Sequence, residues 1–363
     1  MLHVGRRYIG LLALAISALF VACNSSHNPA SSDKSLIGAG STFIYPAMAH
    51  WISVYQSSHP GVQINYQSIG SGGGIQQLKK GLVDFGASDK ALDDQQLQEM
   101  PRLVQIPAIA GPVCITYNLP DLKSPLKLSP TVLAGIYLGE IKTWRDPAIR
   151  KDNPGSSLPE TAIAVTHRSD GSGTTNIFTT YLTKVSPGWA KQVGKGIAVS
   201  WPVGVGGKGS EGVTGLVNQT PSAIGYVELT YATENKLPVA LIQNRAGAWI
   251  EPTAAAATAA IEAFQDGLAK DVRTPVVDPP PSAKDAYPIS GLTYLLIPNQ
   301  GKTEAKQQTL KDFVQYILTD GQSAAESLQY SKLPQSLAYL GQRLLAEKQG
   351  GTQQSSLSQG IGK

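Results

Sequence analysis

The stretch AIAVTHRSDGSGTTNIFTTYLTKV, residues 162–185, decides how the chain folds. Its opening is β-branched and apolar, which predicts a strand over 162–167. Small and polar residues cluster at 170–174, and the run 173–185 has the apolar spacing of a helix. The same order recurs along the chain. Apolar residues at Phe43, Ala47, Trp51 and Val54 predict a helix over 43–57, followed by a strand at 62–66, a helix at 74–80, a strand at 83–87 and a helix at 93–99. The apolar stretch 103–117, interrupted by Pro107 and Gly111-Pro112, reads as consecutive extended segments. Further helices are predicted at 129–138 and 211–218, and strands at 223–227 and 238–243. An alanine-rich helix at 253–265 precedes a Pro- and Asp-rich loop at 266–286. A strand at 289–297 and helices at 303–318, 321–328 and 336–347 complete the series. Strands alternating with helices argue for an α/β fold built on mostly parallel sheets.

At 363 residues the chain is long enough for about two domains. Charged residues make up 15%, below the roughly 25% of ordinary soluble domains, and 42% are hydrophobic. This composition excludes collagen, coiled coil and a multi-span membrane protein. The formal charge of +4 falls to +2 once Arg6 and Arg7 are removed with an N-terminal leader. No Lys/Arg run accompanies it, so a nucleic-acid partner is not expected. Arg6 and Arg7 precede an apolar run from Ile9 to Val21, too short for a membrane span but suited to a signal peptide over 1–22. Phe20-Val21-Ala22-Cys23 resembles a bacterial lipobox, making Cys23 the candidate lipid anchor and 23–34 a polar tether; free secretion is the alternative. The Gln/Ser/Gly-rich end, 350–363, reads as a flexible tail. Cys114 lies in an apolar run and is expected to be a buried thiol, with a Cys23–Cys114 disulfide as a second reading. The five histidines are scattered without metal-ligand spacing.

Three clusters of small residues carry the chemistry: Gly38–Phe43 (GAGSTF), Gly70–Gly74 (GSGGG) and Asp170–Thr174 (DGSGT). Each stands between an extended segment and a helix start. The first turn of a helix has unpaired N–H groups and a partial positive charge, and Gly and Ser/Thr admit an anion to them. Helix caps and tight turns would explain any one cluster equally well. Three in one chain, beside Arg168, point to a shared oxyanion site. Other readings fail on spacing. Phe43 stands where a dinucleotide fingerprint needs its third glycine, and Gly209 after Lys208 breaks the phosphate-loop pattern in GVGGKGS, 204–210. No G-x-S-x-G surrounds Ser172. His167, Asp170 and Ser172 are too close in sequence to form a mutually bonded triad.

With these residues in place, the chain resembles the phosphate-binding proteins of bacterial high-affinity phosphate ABC importers. The matching segments, in family order, are GAGSTF (38–43), YQSIGSGGG (66–74), DFGASD (84–89), YLGEIKTWRDP (137–147), RSDGSGT (168–174), WPVGVGGKG (201–209), AIGYVE (223–228), YPIS (287–290) and YSKLP (330–334). The resemblance implies a two-lobed type II periplasmic-binding-protein fold with the ligand in the cleft. Lobe 1 would combine 35–108 with 289–345, and lobe 2 would be 113–286. It implies phosphate donors at Thr42 (hydroxyl and N–H), Phe43 (N–H), Ser71, Ser172, Gly173 and Thr174. It also implies a forked bond from Arg168, with Asp170 orienting that guanidinium. Asp89 would accept the O–H of mono- or dibasic phosphate and reject sulfate, which carries no proton at neutral pH; on its own Asp89 reads equally as a cap for the helix near 93–99. The resemblance further implies a monomer that binds its ligand in the cell envelope without transforming it. Such a protein uses no metal or cofactor and serves a permease in the inner membrane with its cytoplasmic ATPase. A secreted phosphomonoesterase on the same fold, or a sulfate or molybdate binder, remains the alternative.

Overall fold

In the computed structural model, which describes residues 34–298 and 302–347, strands and helices alternate as the apolar spacing predicts. The leader, Cys23 and the tail 350–363 lie outside the described residues. The first part runs β1 (Ser35–Gly40), α1 (Tyr45–Ser58), β2 (Gln63–Ser68), α2 (Ser71–Lys79), β3 (Phe85–Ser88) and α3 (Asp94–Glu99). Then comes β4 (Leu103–Tyr117), followed by β5 (Lys127–Leu128), α4 (Pro130–Leu138) and α5 (Pro147–Asp152). The middle holds β6 (Ala164–Arg168), α6 (Gly173–Val185), α7 (Pro187–Gln192), β7 (Val205–Gly207), α8 (Gly209–Gln219), β8 (Ala223–Glu228) and α9 (Leu229–Glu234). The last part has β9 (Leu241–Gln243), β10 (Trp249–Ile250), α10 (Ala254–Glu262), α11 (Gln265–Lys270), β11 (Ser290–Pro298), α12 (Glu304–Leu318) and α13 (Gln335–Glu347).

The main sheet has eight strands in the order β2-β1-β3-β11-β4-β8-β6-β7, and β10-β9-β5 form a small second sheet. Both ends of the main sheet use one plan. In each, three parallel strands in the order second-first-third (β2-β1-β3 and β7-β6-β8) are closed by an antiparallel strand, β11 in one case and β4 in the other. This is the two-lobed type II arrangement, a topological repeat without a repeat in sequence. β4 joins the halves. Residues 103–112 pair with β11 and residues 113–117 with β8. All fifteen of its residues are buried, which explains its mostly apolar sequence.

Four expectations are corrected. The stretch 103–117 is one strand rather than several, because the register shift at Thr293/Tyr294 takes up the irregularity opposite Pro107. The loop expected over 266–286 begins with α11, and the helix expected at 321–328 is two short 3-10 turns. The helix expected at 74–80 begins at Ser71, which moves that hydroxyl onto the first turn. The six-residue helices α5, α7 and α9 escape a periodicity reading because they are shorter than two turns. Trp51, Trp144 and Trp189 are fully buried packing residues. Cys114 is buried and donates to Val227 O at 3.3 Å. None of the described helices is long and apolar enough to cross a membrane.

Candidate functional site

Parallel strands deliver the helices that follow them to one end of the sheet, and ligands of such folds sit at the carboxyl ends of the strands. Here the loops after β1, β2 and β3 meet those after β6 and β7. Gly72 N–H donates to Gly171 O at 2.8 Å, and Gly173 N–H to Ser71 Oγ at 3.1 Å. A Cβ on Gly173 would stand 2.4 Å from Ser71 Oγ and 2.6 Å from Asp89 Cβ, so only glycine permits this approach. Gly70, at φ +82°, turns the chain into α2 against the Asp170 carboxylate.

Arg168 ends β6 and is 4% exposed. Asp170 holds its guanidinium in a fork: Nε donates to Oδ1 at 2.7 Å and Nη2 to Oδ2 at 2.6 Å. The remaining arm, Nη1, donates to Thr42 Oγ1 at 3.0 Å. Burial alone would raise the Asp170 carboxyl, but the bonds and charge of Arg168 and the Gly209 N–H hold it below the usual carboxylate range. Thr42 Oγ1 lies 2.7 Å from Ser210 Oγ, and Ser210 N–H points at Thr42 Oγ1 at 3.3 Å.

Asp89, 5% exposed, follows β3. It does not cap α3: Asp93 does, in a capping box with Gln96. Its Oδ1 accepts from the hydroxyls of Ser41 and, at 2.8 Å, Thr293, whereas among the described residues Oδ2 has only Thr174 Oγ1, at the long distance of 3.5 Å. One carboxylate oxygen is therefore saturated and the other faces α6 with room for a further donor. Burial pushes the carboxyl up to about 6, against the lowering effect of the Ser41 and Thr293 bonds, the Arg168 charge and Thr174.

Ser172 is both an expected donor and a cap. Its Oγ accepts from Thr175 N–H at 3.1 Å, which leaves its proton to give elsewhere. Phe43 contributes backbone; its ring packs edge-on against Tyr330, 5.9 Å between centroids. The sequence-predicted residues Thr42, Phe43, Ser71, Asp89, Arg168, Asp170, Ser172, Gly173 and Thr174 thus share one buried locus. Sequence reasoning misses Ser41, Thr293 and Ser210. Ser210 has a legible signal, since 204–210 is a fourth strand–glycine–helix junction. Thr293 has none, because it comes from a strand distant in sequence.

His167 turns away from Ser172. Its ring stacks on Trp201, centroids 4.8 Å apart, with Nδ1 3.0 Å from Arg168 O. Among the described residues no His/Cys/Asp/Glu group could hold a metal ion. The arrangement is neutral donors and one neutralised guanidinium around one open carboxylate oxygen, which suits an oxyanion that carries a proton.

The PBP superfamily domain matches residues 25–321. Over 318 residues the chain is 42% identical to the phosphate-binding protein PstS of Xylella fastidiosa strain Temecula1, covering 86% of each. It is 42% identical over 305 residues to the protein of that name from Pasteurella multocida strain Pm70, covering 84% of this chain and 88% of the other. Among solved structures it shares its fold with a high-affinity periplasmic phosphate-binding protein, PfluDING, bound with phosphate. The TM-score is 0.66 at 21% identity, over 84% of this chain and 92% of that one.

Proposed function

The chain belongs to the PstS family of phosphate-binding proteins within the PBP superfamily, and from that premise we propose that it binds inorganic phosphate outside the cytoplasmic membrane and delivers it to an ABC-transporter permease. The observation that carries this reading is the presence of both Arg168 and Asp89 at one buried locus, near enough for the guanidinium charge to lower the Asp89 carboxyl. The guanidinium and the helix starts favour an anion, and the open Oδ2 of Asp89 requires that anion to bring a proton. Thr42, Phe43, Ser71, Ser172, Gly173 and Thr174 supply neutral donors, Arg168 the positive charge, and Asp170 its orientation. Sulfate would set lone pairs against a buried carboxylate, at several kcal/mol.

Lobe 1 (35–108 with 289–345) and lobe 2 (113–286) hinge at β4 and β11, and closure brings Ser71 to Gly173 and Thr42 to Ser210. The protein acts as a monomer, needs no cofactor, and is held at the membrane through Cys23. Turnover of phosphate esters is not supported: Ser172 Oγ serves Thr175 and the His167 ring serves Trp201. Calorimetric titration of the purified protein with phosphate, sulfate and molybdate tests the reading. Phosphate is expected to bind with micromolar or better affinity and sulfate at least 100-fold more weakly. Equal binding of both would sink the role given to Asp89, and Ser172-dependent hydrolysis of a chromogenic phosphate ester would sink the binding-only reading.

A further inference from the structure

Behind the first cradle loop lies a second layer of acidic groups that the phosphate site does not use. Tyr231 Oη donates to Thr42 O at 2.7 Å, and Tyr330 Oη donates to Phe43 O at 2.5 Å. Thr42 C=O and Phe43 N–H belong to one peptide group, so a donor on that carbonyl polarises the N–H offered to the anion. Glu228 stands behind both tyrosines, at the end of β8, fully buried and opposite Val113 of the strand that joins the halves. Its Oε2 accepts from Thr230 N–H at 3.0 Å, while Oε1 meets no donor. The Tyr330 hydroxyl lies beside this carboxyl, but its single proton already goes to Phe43 O.

A charged Glu228 would leave a buried oxygen unpaired and add negative charge behind an anion site. A protonated Glu228 can instead donate to the Tyr330 oxygen and complete a chain from Glu228 through Tyr330 to Phe43 O. We propose that Glu228 is a positioning residue for the phosphate: protonated, it fixes the Thr42–Phe43 loop through Tyr330 beside Tyr231, and its ionisation loosens that loop and weakens binding. This rests on the phosphate reading above.

The surroundings agree. Burial pushes the Glu228 carboxyl up to about 8, against the lowering influence of the Thr230 bond and the adjacent Tyr330 hydroxyl, and Glu234 of α9 adds to the rise. The other titratable groups facing it are the Cys114 thiol from β4, Tyr231 from α9 and Tyr330. Beyond Tyr231, whose hydroxyl also reaches Glu211 Oε1 at 3.1 Å, lie Glu211 of α8 and the Arg168 charge. If binding favours the protonated form, affinity is fully present below pH 7 and declines as pH rises past about 8.

The test is the dissociation constant for inorganic phosphate from pH 6.5 to 9.5 in wild type, Glu228→Gln and Tyr330→Phe, with unfolding temperatures alongside. Phosphate's own ionisation is common to all three, so the differences are read. Gln keeps a neutral donor, so Glu228→Gln is expected to match wild type at pH 6.5 and to bind about tenfold more tightly than it at pH 9.5, roughly one pH unit of linkage. Tyr330→Phe, which cuts the chain, is expected to bind several-fold more weakly at pH 6.5 and to lack the wild-type fall near pH 8. A Glu228→Gln profile parallel to wild type, or weak binding by that variant at pH 6.5, overturns the proposal. If Glu228→Gln does not fold, a Tyr330→Phe profile parallel to wild type overturns it by itself. Failure of wild type to bind phosphate at any pH overturns the phosphate reading instead.

Discussion

Replacing Asp89 by asparagine separates the stability of the site from its selectivity, because the two should move in opposite directions. The Asp89 carboxyl is raised from 3.8 to about 6, so the folded protein holds that proton more tightly than the unfolded chain. Wild type therefore loses stability as pH rises from about 4 to about 6. Two units at about 1.36 kcal/mol each bound the loss near 3 kcal/mol. Asn removes the charge but keeps an oxygen for Ser41 and Thr293, so about 1–3 kcal/mol should be recovered at pH 7.5 and nothing below pH 4. For roughly 300 folded residues, at about 2 cal/mol/K of unfolding entropy each, that is about 2–5 °C in Tm. The assay is calorimetric melting of protein stripped of phosphate by unfolding and dialysis, at pH 4, 6 and 7.5. The same variant, offering N–H where wild type offers a lone pair, should narrow the preference for phosphate over sulfate by 100-fold or more. A variant less stable than wild type at pH 7.5, or a stability gap that does not change between pH 4 and 7.5, would refute the claim that Asp89 is a buried charge held for selection.

Other substitutions probe the remaining parts. Gly173→Ala sets a methyl against Ser71 and Asp89; phosphate affinity should fall at least 100-fold by calorimetry, with Tm in phosphate-free buffer changed by less than about 2 °C if closure alone is blocked. Asp170→Asn leaves the Arg168 guanidinium without its counter-charge, so chemical denaturation should show a loss of about 3 kcal/mol together with at least tenfold weaker binding. Ser172→Ala removes a helix cap and a ligand donor together: about 1 kcal/mol of stability without phosphate, and a further drop in the stabilisation that saturating phosphate brings. Burial holds the Cys114 thiol far above its ordinary range, so iodoacetamide should not label it at pH 8 until denaturant unfolds the chain.

The α/β alternation, the long apolar run 103–117 and the three strand–glycine–helix junctions are local patterns, and local patterns survive in a linear sequence. They point to Thr42, Ser71, Arg168 and Ser172 because a helix start with Gly and Ser/Thr is an anion site wherever it stands. Other facts depend on distance in space. Asp89 reads equally as a helix cap until the fold gives that position to Asp93, and its open oxygen follows from Thr293, more than 200 residues away. The pairing of Thr42 with Ser210 and of Ser71 with Gly173 arises only when β4 and β11 bring two separately built halves together. The Glu228 layer is invisible in the sequence for the same reason. A glutamate after a strand looks like any surface acid until packing removes water from it and sets tyrosines from 231 and 330 in front of it. Spacing along a chain encodes which backbone groups are exposed for binding; desolvation and contacts between residues distant in sequence, which set charge states and selectivity, exist only once the chain has folded.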